Sequence, residues 1–150
     1  MAIAHQNDPE LIQALLMDPG TWVVVGLSNN EERTANRVAR WLKYEQHKGI
    51  IPVHPKAETV FDEQGYATLD DIPDQDVKVV QCFVRSELVG EVVDAAITHK
   101  DRLQIDAVWL QLGVIDEDAA DRAREAGLGV VMDTCPKIEA RRLRASGAAR

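Results

Sequence analysis

Apolar positions in this chain follow two alternating rhythms. Short unbroken runs such as Trp22-Val23-Val24-Val25 alternate with longer stretches whose apolar residues share one face at helical spacing. Unbroken runs suit parallel strands, which are buried on both faces. Asp8-Pro9 predicts a helix start, because Asp caps and Pro is tolerated in the first turn. Leu11, Ile12, Leu15 and Leu16 line one face of that helix, and Asp18-Pro19-Gly20 stops it. After the Trp22 strand, Ala35, Val38, Ala39 and Leu42 predict an amphipathic helix starting near Glu31. Gly49 closes it before a second strand, Ile50-Ile51-Pro52-Val53.

Residues 56–76 are polar and irregular, punctuated by Gly65-Tyr66 and Pro73, with a helical turn after Thr68. Val77 to Phe83 contains a third strand. Leu88, Val89, Val92, Val93, Ala96 and Ile97 form the next helix, ending at His99-Lys100. Ala107-Val108-Trp109-Leu110 is a fourth strand. Ala119, Ala120, Ala123 and Ala126 predict a closely packed helix with Gly127 as its stop. Leu128 to Met132 is the last strand, and Pro136 opens a last short helix. This alternation predicts one α/β domain over residues 1–150: a doubly wound, mainly parallel sheet of about five strands flanked by helices. Residues 1–20 form an N-terminal helix and link, and 145–150 a tail expected to fray. Ligands of such sheets bind beyond the carboxyl ends of the strands, where the strand order switches.

Charge and composition narrow the function. A net charge of −8 argues against a nucleic-acid partner, since phosphate-backbone binding rests on many exposed cations. The basic cluster Arg141, Arg142, Arg144 and Arg150 reads as a solvated helix end suited to the dipole, or as a docking tail. No apolar run approaches the ~20 residues of a membrane span, and the first residues lack a secretion signal. With only two cysteines, Cys82 and Cys135, no disulfide framework is expected. These features predict a cytoplasmic protein. His5, His47, His54 and His99 share no metal-ligand spacing, and no catalytic triad or paired-carboxylate site is visible.

The residues just after each strand carry the candidate chemistry. Gly26-Leu27-Ser28-Asn29-Asn30 leads into a helix N-terminus, whose free N–H groups and dipole suit a phosphate. Ser28 and Asn29 can donate hydrogen bonds or cap the helix, and Arg33 can offset Glu31 and Glu32. A plain capped turn is the other reading of this loop, since the full G-x-G-x-x-G fingerprint is absent. The second strand ends in Val53-His54-Pro55-Lys56, where an NAD site would carry an acidic residue. Lys56 there favours a phosphorylated ribose, as in CoA or NADP, against the alternative of a solvated side chain. Phe83 and Val84 are core residues or an apolar wall for a ligand. Arg85 suits a phosphate or carboxylate, and Ser86 is placed to cap the next helix. Gln111 and Gly113 reach the same edge, while Trp109 reads as packing. Pro136 puts Cys135 at a helix N-cap, where the dipole lowers a thiol pKa and an accessible thiolate reacts readily. Cys82, inside an apolar strand, reads as inert.

Several stretches together resemble the stand-alone CoA-binding domain family, similar in fold to the CoA-binding domain of the succinyl-CoA synthetase alpha subunit. They are Trp109-Leu110-Gln111-Leu112-Gly113-Val114, Ala123-Arg124-Glu125-Ala126-Gly127-Leu128, and Met132-Asp133 with Cys135-Pro136-Lys137-Ile138-Glu139. Ile51 to Lys56 and Gly65 to Leu69 add to them, and the resemblance runs from about Trp22 to Leu143. It implies a Rossmann-like domain holding coenzyme A at the carboxyl edge. By position, Gly26, Ser28 and Arg33 would lie along the diphosphate, and Val53, Pro55 and Lys56 near the 3′-phosphate. Phe83, Val84 and Arg85 would flank the ligand. The family often has Gly-Ala-Ser with a Pro soon after, and Arg between the Asp and Cys of the last motif. This chain has Gly26-Leu27-Ser28-Asn29-Asn30-Glu31 and Thr134 at those places.

The resemblance implies a module that binds CoA or an acyl-CoA as carrier, sensor or adaptor, without complete ligase machinery. The alternatives are an NADP-binding oxidoreductase, an enzyme or thiol-redox protein using Cys135, which would form a mixed disulfide if it faces the CoA sulfur, and a purely structural assembly domain with a vestigial pocket. A homodimer is open as well, since Trp41 on its helix suits a dimer face as well as the core.

Overall fold

The computed structural model describes residues 4–147. Arg150 of the basic cluster and residues 148–150 of the tail lie outside the described residues. Five strands alternate with helices: β1 Thr21–Val25, β2 Gly49–Val53, β3 Val79–Cys82, β4 Ala107–Leu110 and β5 Gly129–Val131. The helices are α1 Pro9–Met17, α2 Thr34–Tyr44, α3 Ser86–Thr98, α4 Lys100–Leu103, α5 Glu117–Glu125 and α6 Pro136–Ala145. A 3₁₀ turn at Leu69–Asp71 supplies the helical turn expected after Thr68. Every strand pair is parallel, in the order β2-β1-β3-β4-β5. The chain moves outward from β1 to β2, then returns to the other side of β1 for β3. The switch in strand order therefore falls between β1 and β3, and this α/β Rossmann-like sheet opens a crevice there.

Alternate strand residues feed two cores, as the period of two demands. Trp22, Val24 and Trp109 pack with Ile12, Leu16, Val38, Leu42 and Ala140, from α1, α2 and α6. Val23, Val25, Val80 and Cys82 pack with Val89, Val93, Ala120 and Ala123, from α3 and α5. The Trp22 and Trp109 rings lie 5.6 Å apart across the intervening β3, and the Trp109 Nε1–H donates to the Thr134 carbonyl at 2.9 Å. Trp41 is 4% exposed and belongs to the first core, so it offers no dimer face.

Three local expectations shift. α2 begins at Thr34 rather than near Glu31, because the Asn30 side chain accepts from Glu32 N–H at 3.0 Å and holds residues 30–33 in a turn. Gly49 opens β2 instead of closing α2; the chain turns earlier, at His47, whose φ is 56°. Ser86 does not cap α3, which starts on it after Arg85. Its hydroxyl instead donates to the Gly113 carbonyl at 3.4 Å and accepts from Ile115 N–H at 3.0 Å. α1 starts as expected, with the Asp8 carboxylate accepting from Glu10 N–H at 2.9 Å.

Candidate functional site

The crevice at the switch point is a cleft of about 1080 Å³. That volume is at the upper end of small-molecule and cofactor sites. The segments after β1, β2, β3 and β4 and the start of α2 line it. Of the thirteen residues expected at the site, Gly26, Ser28, Asn29, Arg33, Pro55, Lys56, Phe83, Val84, Arg85 and Gln111 all reach this lining. Val53, Gly113 and Cys135 do not. Val53 is 3% exposed and packs in the core. Gly113 turns away at φ +86° and donates its N–H to Asp133 Oδ1 at 2.8 Å.

The first loop is fixed from three sides. Gly26 N–H donates to the Val53 carbonyl at 2.7 Å, which binds the end of β1 to the end of β2. Leu27 is fully buried below it. The buried Asn36 donates its side-chain N–H to the Ser28 carbonyl at 2.9 Å. Asn29 does not cap α2: its side chain donates to the Thr59 carbonyl and its N–H to Glu58 Oε1. Asn29 therefore fastens the first loop to the segment after β2, closing one wall of the cleft. Arg33 is the N-cap residue, and no side chain caps α2. Thr34 and Ala35 of the uncapped first turn thus line the cleft at the positive end of the helix dipole.

Arg33, Lys56 and Arg85 bring three cations to the lining, against the carboxylates of Glu32 and Glu58. Among the described residues Arg33 and Lys56 form no ion pair; Arg85 lies 4.0 Å from Glu87, both fully in solvent's reach at 76% exposure. An ion pair that open is worth little, so Arg85 stays available to a ligand anion. Lys56 is held by its backbone, whose N–H donates to His54 Nδ1 at 3.2 Å. His54 itself lines the cleft, and Phe83, Val84, Leu88 and Leu112 give it an apolar side.

Gln111 is oriented from behind by a residue that the sequence reading did not single out. Gln81, fully buried in β3, donates its side-chain N–H to Gln111 Oε1 at 2.9 Å. That bond uses the Gln111 oxygen and leaves its Nε2 donors for a ligand acceptor. Gln81 Oε1 has no partner among the described residues. Its signal in the sequence is a lone amide inside the apolar run Val79-Val80-Gln81-Cys82.

Cys135 stands at the N-cap of α6, as its place before Pro136 predicts, but it is not the accessible thiol expected there. It is 7% exposed and packed in the core between the sheet and α6. Cys82 is fully buried, and burial pushes its thiol up to about 12. Both cysteines are therefore expected to resist a thiol reagent at about pH 8 in the native protein, because the reagent must reach a buried sulfur. Denaturation should release both. A chromogenic thiol assay measures this, and one fast-reacting thiol in the folded protein would contradict the burial of Cys135. Among the described residues no group of His, Cys, Asp and Glu side chains could hold a metal ion, and no helix is long and apolar enough to cross a membrane.

Residues 20–141 match a family model described as a CoA binding domain. Bacillus subtilis YneT, itself uncharacterised, is 30% identical over 129 residues, covering 85% of this chain and 90% of YneT. A hypothetical protein from Pyrococcus horikoshii superposes with a TM-score of 0.81 at 34% identity, covering 91% of this chain and 92% of that one. An acetyl-coenzyme A synthetase from Candidatus Korarchaeum cryptofilum shares the fold at 22% identity and a TM-score of 0.68. That match covers 80% of this chain and 27% of the synthetase. With the family model spanning most of its length, the chain belongs to the CoA binding domain family.

Proposed function

We propose that the cleft binds coenzyme A or an acyl-CoA, and that the protein acts as a carrier, sensor or adaptor. The observation that carries this reading is the meeting of an uncapped helix N-terminus with Arg33, Lys56 and Arg85 in one crevice at the strand-order switch. A ligand with separated phosphates and a long neutral arm uses all of these features. The diphosphate would lie over Gly26 and Ser28, against the N–H groups of α2 and the Arg33 guanidinium. The 3′-phosphate would meet Lys56, beside Pro55. The pantetheine arm would follow Phe83, Val84 and Leu112, with Arg85 at the rim and an amide carbonyl accepting from Gln111 Nε2. These residues bind and orient; no bond-making step is assigned to them.

Calorimetry with CoA, NADPH and ATP on the purified protein tests the reading. One-site saturable binding of CoA, with NADPH and ATP weaker, is the expected result. No CoA binding by protein shown to be folded would overturn it, and tighter binding of NADPH would give the cleft to a different phosphorylated ribose. The burial of Cys135, away from the cleft lining, weighs against the thiol-redox alternative.

A further inference from the structure

A second cleft, of about 630 Å³, lies beyond the carboxyl ends of β4 and β5, beside the first. The two share one residue, Leu112, which is 56% exposed on the loop after β4 and forms the step between them. Its apolar surface comes from Ile12 of α1, Ile138 and Leu143 of α6, and Leu112 itself. Most polar groups around it have hydrogen-bond partners, and Asp133, exposed on the loop after β5, adds a carboxylate that accepts from Gly113 N–H at 2.8 Å. Asn7 makes a reciprocal pair with the Met132 backbone, accepting its N–H and donating to its carbonyl, both at 2.9 Å. Glu139 accepts from the Thr134 hydroxyl at 2.9 Å and from Arg142 at 2.9 and 3.1 Å. Among the described residues, Arg142 brings the one guanidinium to this lining, and it is paired with the mostly buried Glu139 carboxylate. With two carboxylates against one guanidinium, this lining disfavours a guest ending in a carboxylate, whereas a hydrocarbon chain would cover Leu112, Ile138 and Leu143, which are exposed or half-buried.

Resting on the reading of the first cleft as the CoA site, we propose that the second cleft takes the acyl group of a bound thioester. The acyl group is an uncharged aliphatic chain, not a dicarboxylic one. In that arrangement the thioester lies over Leu112, within the region served by Gln111. The acyl chain runs on between α1 and α6, and the natural ligand is a short to medium aliphatic acyl-CoA.

Calorimetry with CoA, acetyl-, butyryl-, hexanoyl- and succinyl-CoA tests this directly on the unaltered protein. Each buried methylene should tighten binding by about twofold to fourfold, so hexanoyl-CoA should exceed CoA by about tenfold or more. Succinyl-CoA should gain nothing over CoA. Ile138→Thr, at a residue that does not line the first cleft, should remove about half of the hexanoyl advantage and leave CoA affinity as it was. Unchanged CoA affinity also reports that the variant is folded. Equal affinity for CoA and hexanoyl-CoA would overturn the acyl site while leaving the CoA reading intact. A preference for succinyl-CoA would overturn its aliphatic character. Loss of all binding in the unaltered protein would overturn both readings.

Discussion

Gly26→Ala should be among the most damaging single substitutions in the protein, lowering stability by about 2–4 kcal/mol. Two independent penalties meet at this position. Its φ of +98° is a conformation that an L side chain adopts only with strain. A Cβ would also sit 2.5 Å from the Phe83 carbonyl oxygen and 3.2 Å from its carbon. That carbonyl cannot step aside, because Phe83 N–H is bonded to the Val25 carbonyl at 2.9 Å and Gly26 N–H to Val53 at 2.7 Å. The chain leaves the sheet between two strand ends that are fixed to it. Thermal unfolding should show a fall of about 5–15 °C, from the usual conversion for a domain of this size. Gly113→Ala provides the control. Its φ is +86°, but a Cβ there meets nothing within 4 Å, so only conformational strain remains, about 1 kcal/mol. If both variants melted together, the close approach to Phe83 would not be the cause. CoA binding should weaken in Gly26→Ala even where the protein stays folded, because the loop proposed to carry the diphosphate and the Phe83 backbone would have to separate.

The elements whose limits are set by local chemistry were legible in the sequence. β4 was readable to the residue, as four apolar positions after Asp106, and α1 was readable from its Asp8-Pro9 start. Limits set by side chains reaching across the chain were not. Asn30 delays α2 by a local turn that competes with the helix, a conflict that apolar periodicity does not register. Ser86 looks like a cap in sequence, but its hydroxyl is taken by the loop after β4, 27 and 29 residues away. The site divides in the same way. Residues that follow a strand could be named from the strand pattern, and most of them reached the cleft. Gln81 could not, because its role depends on β3 lying beside β4, a neighbour relation that exists only once the strand order is known. For Cys135 the sequence predicts the helix end but not the buried environment. A cap position follows from Pro136, but burial follows from the packing of α6 against α1 and α2.

Lys56→Ala should weaken CoA binding by about tenfold, the modest end for a charge-assisted hydrogen bond, because Lys56 sits at an exposed rim. The decisive feature is not the size of the loss but what it is coupled to. If Lys56 meets the 3′-phosphate, dephospho-CoA should bind the unaltered protein about as weakly as CoA binds the variant. The variant itself should not distinguish the two ligands. A four-way comparison by calorimetry isolates that coupling from any general effect of removing a cation. The alternative is that Lys56 acts on the diphosphate or merely raises the local potential. In that case the substitution would weaken CoA and dephospho-CoA by the same factor. Arg33→Ala should behave in that second way, since the diphosphate is common to both ligands. Raising the salt concentration should shrink the Lys56 coupling, as expected for an exposed charge pair. A salt-independent loss would point to the backbone of the His54–Ala57 turn instead, where Lys56 N–H is bonded to His54 and Ala57 already sits at φ 50°.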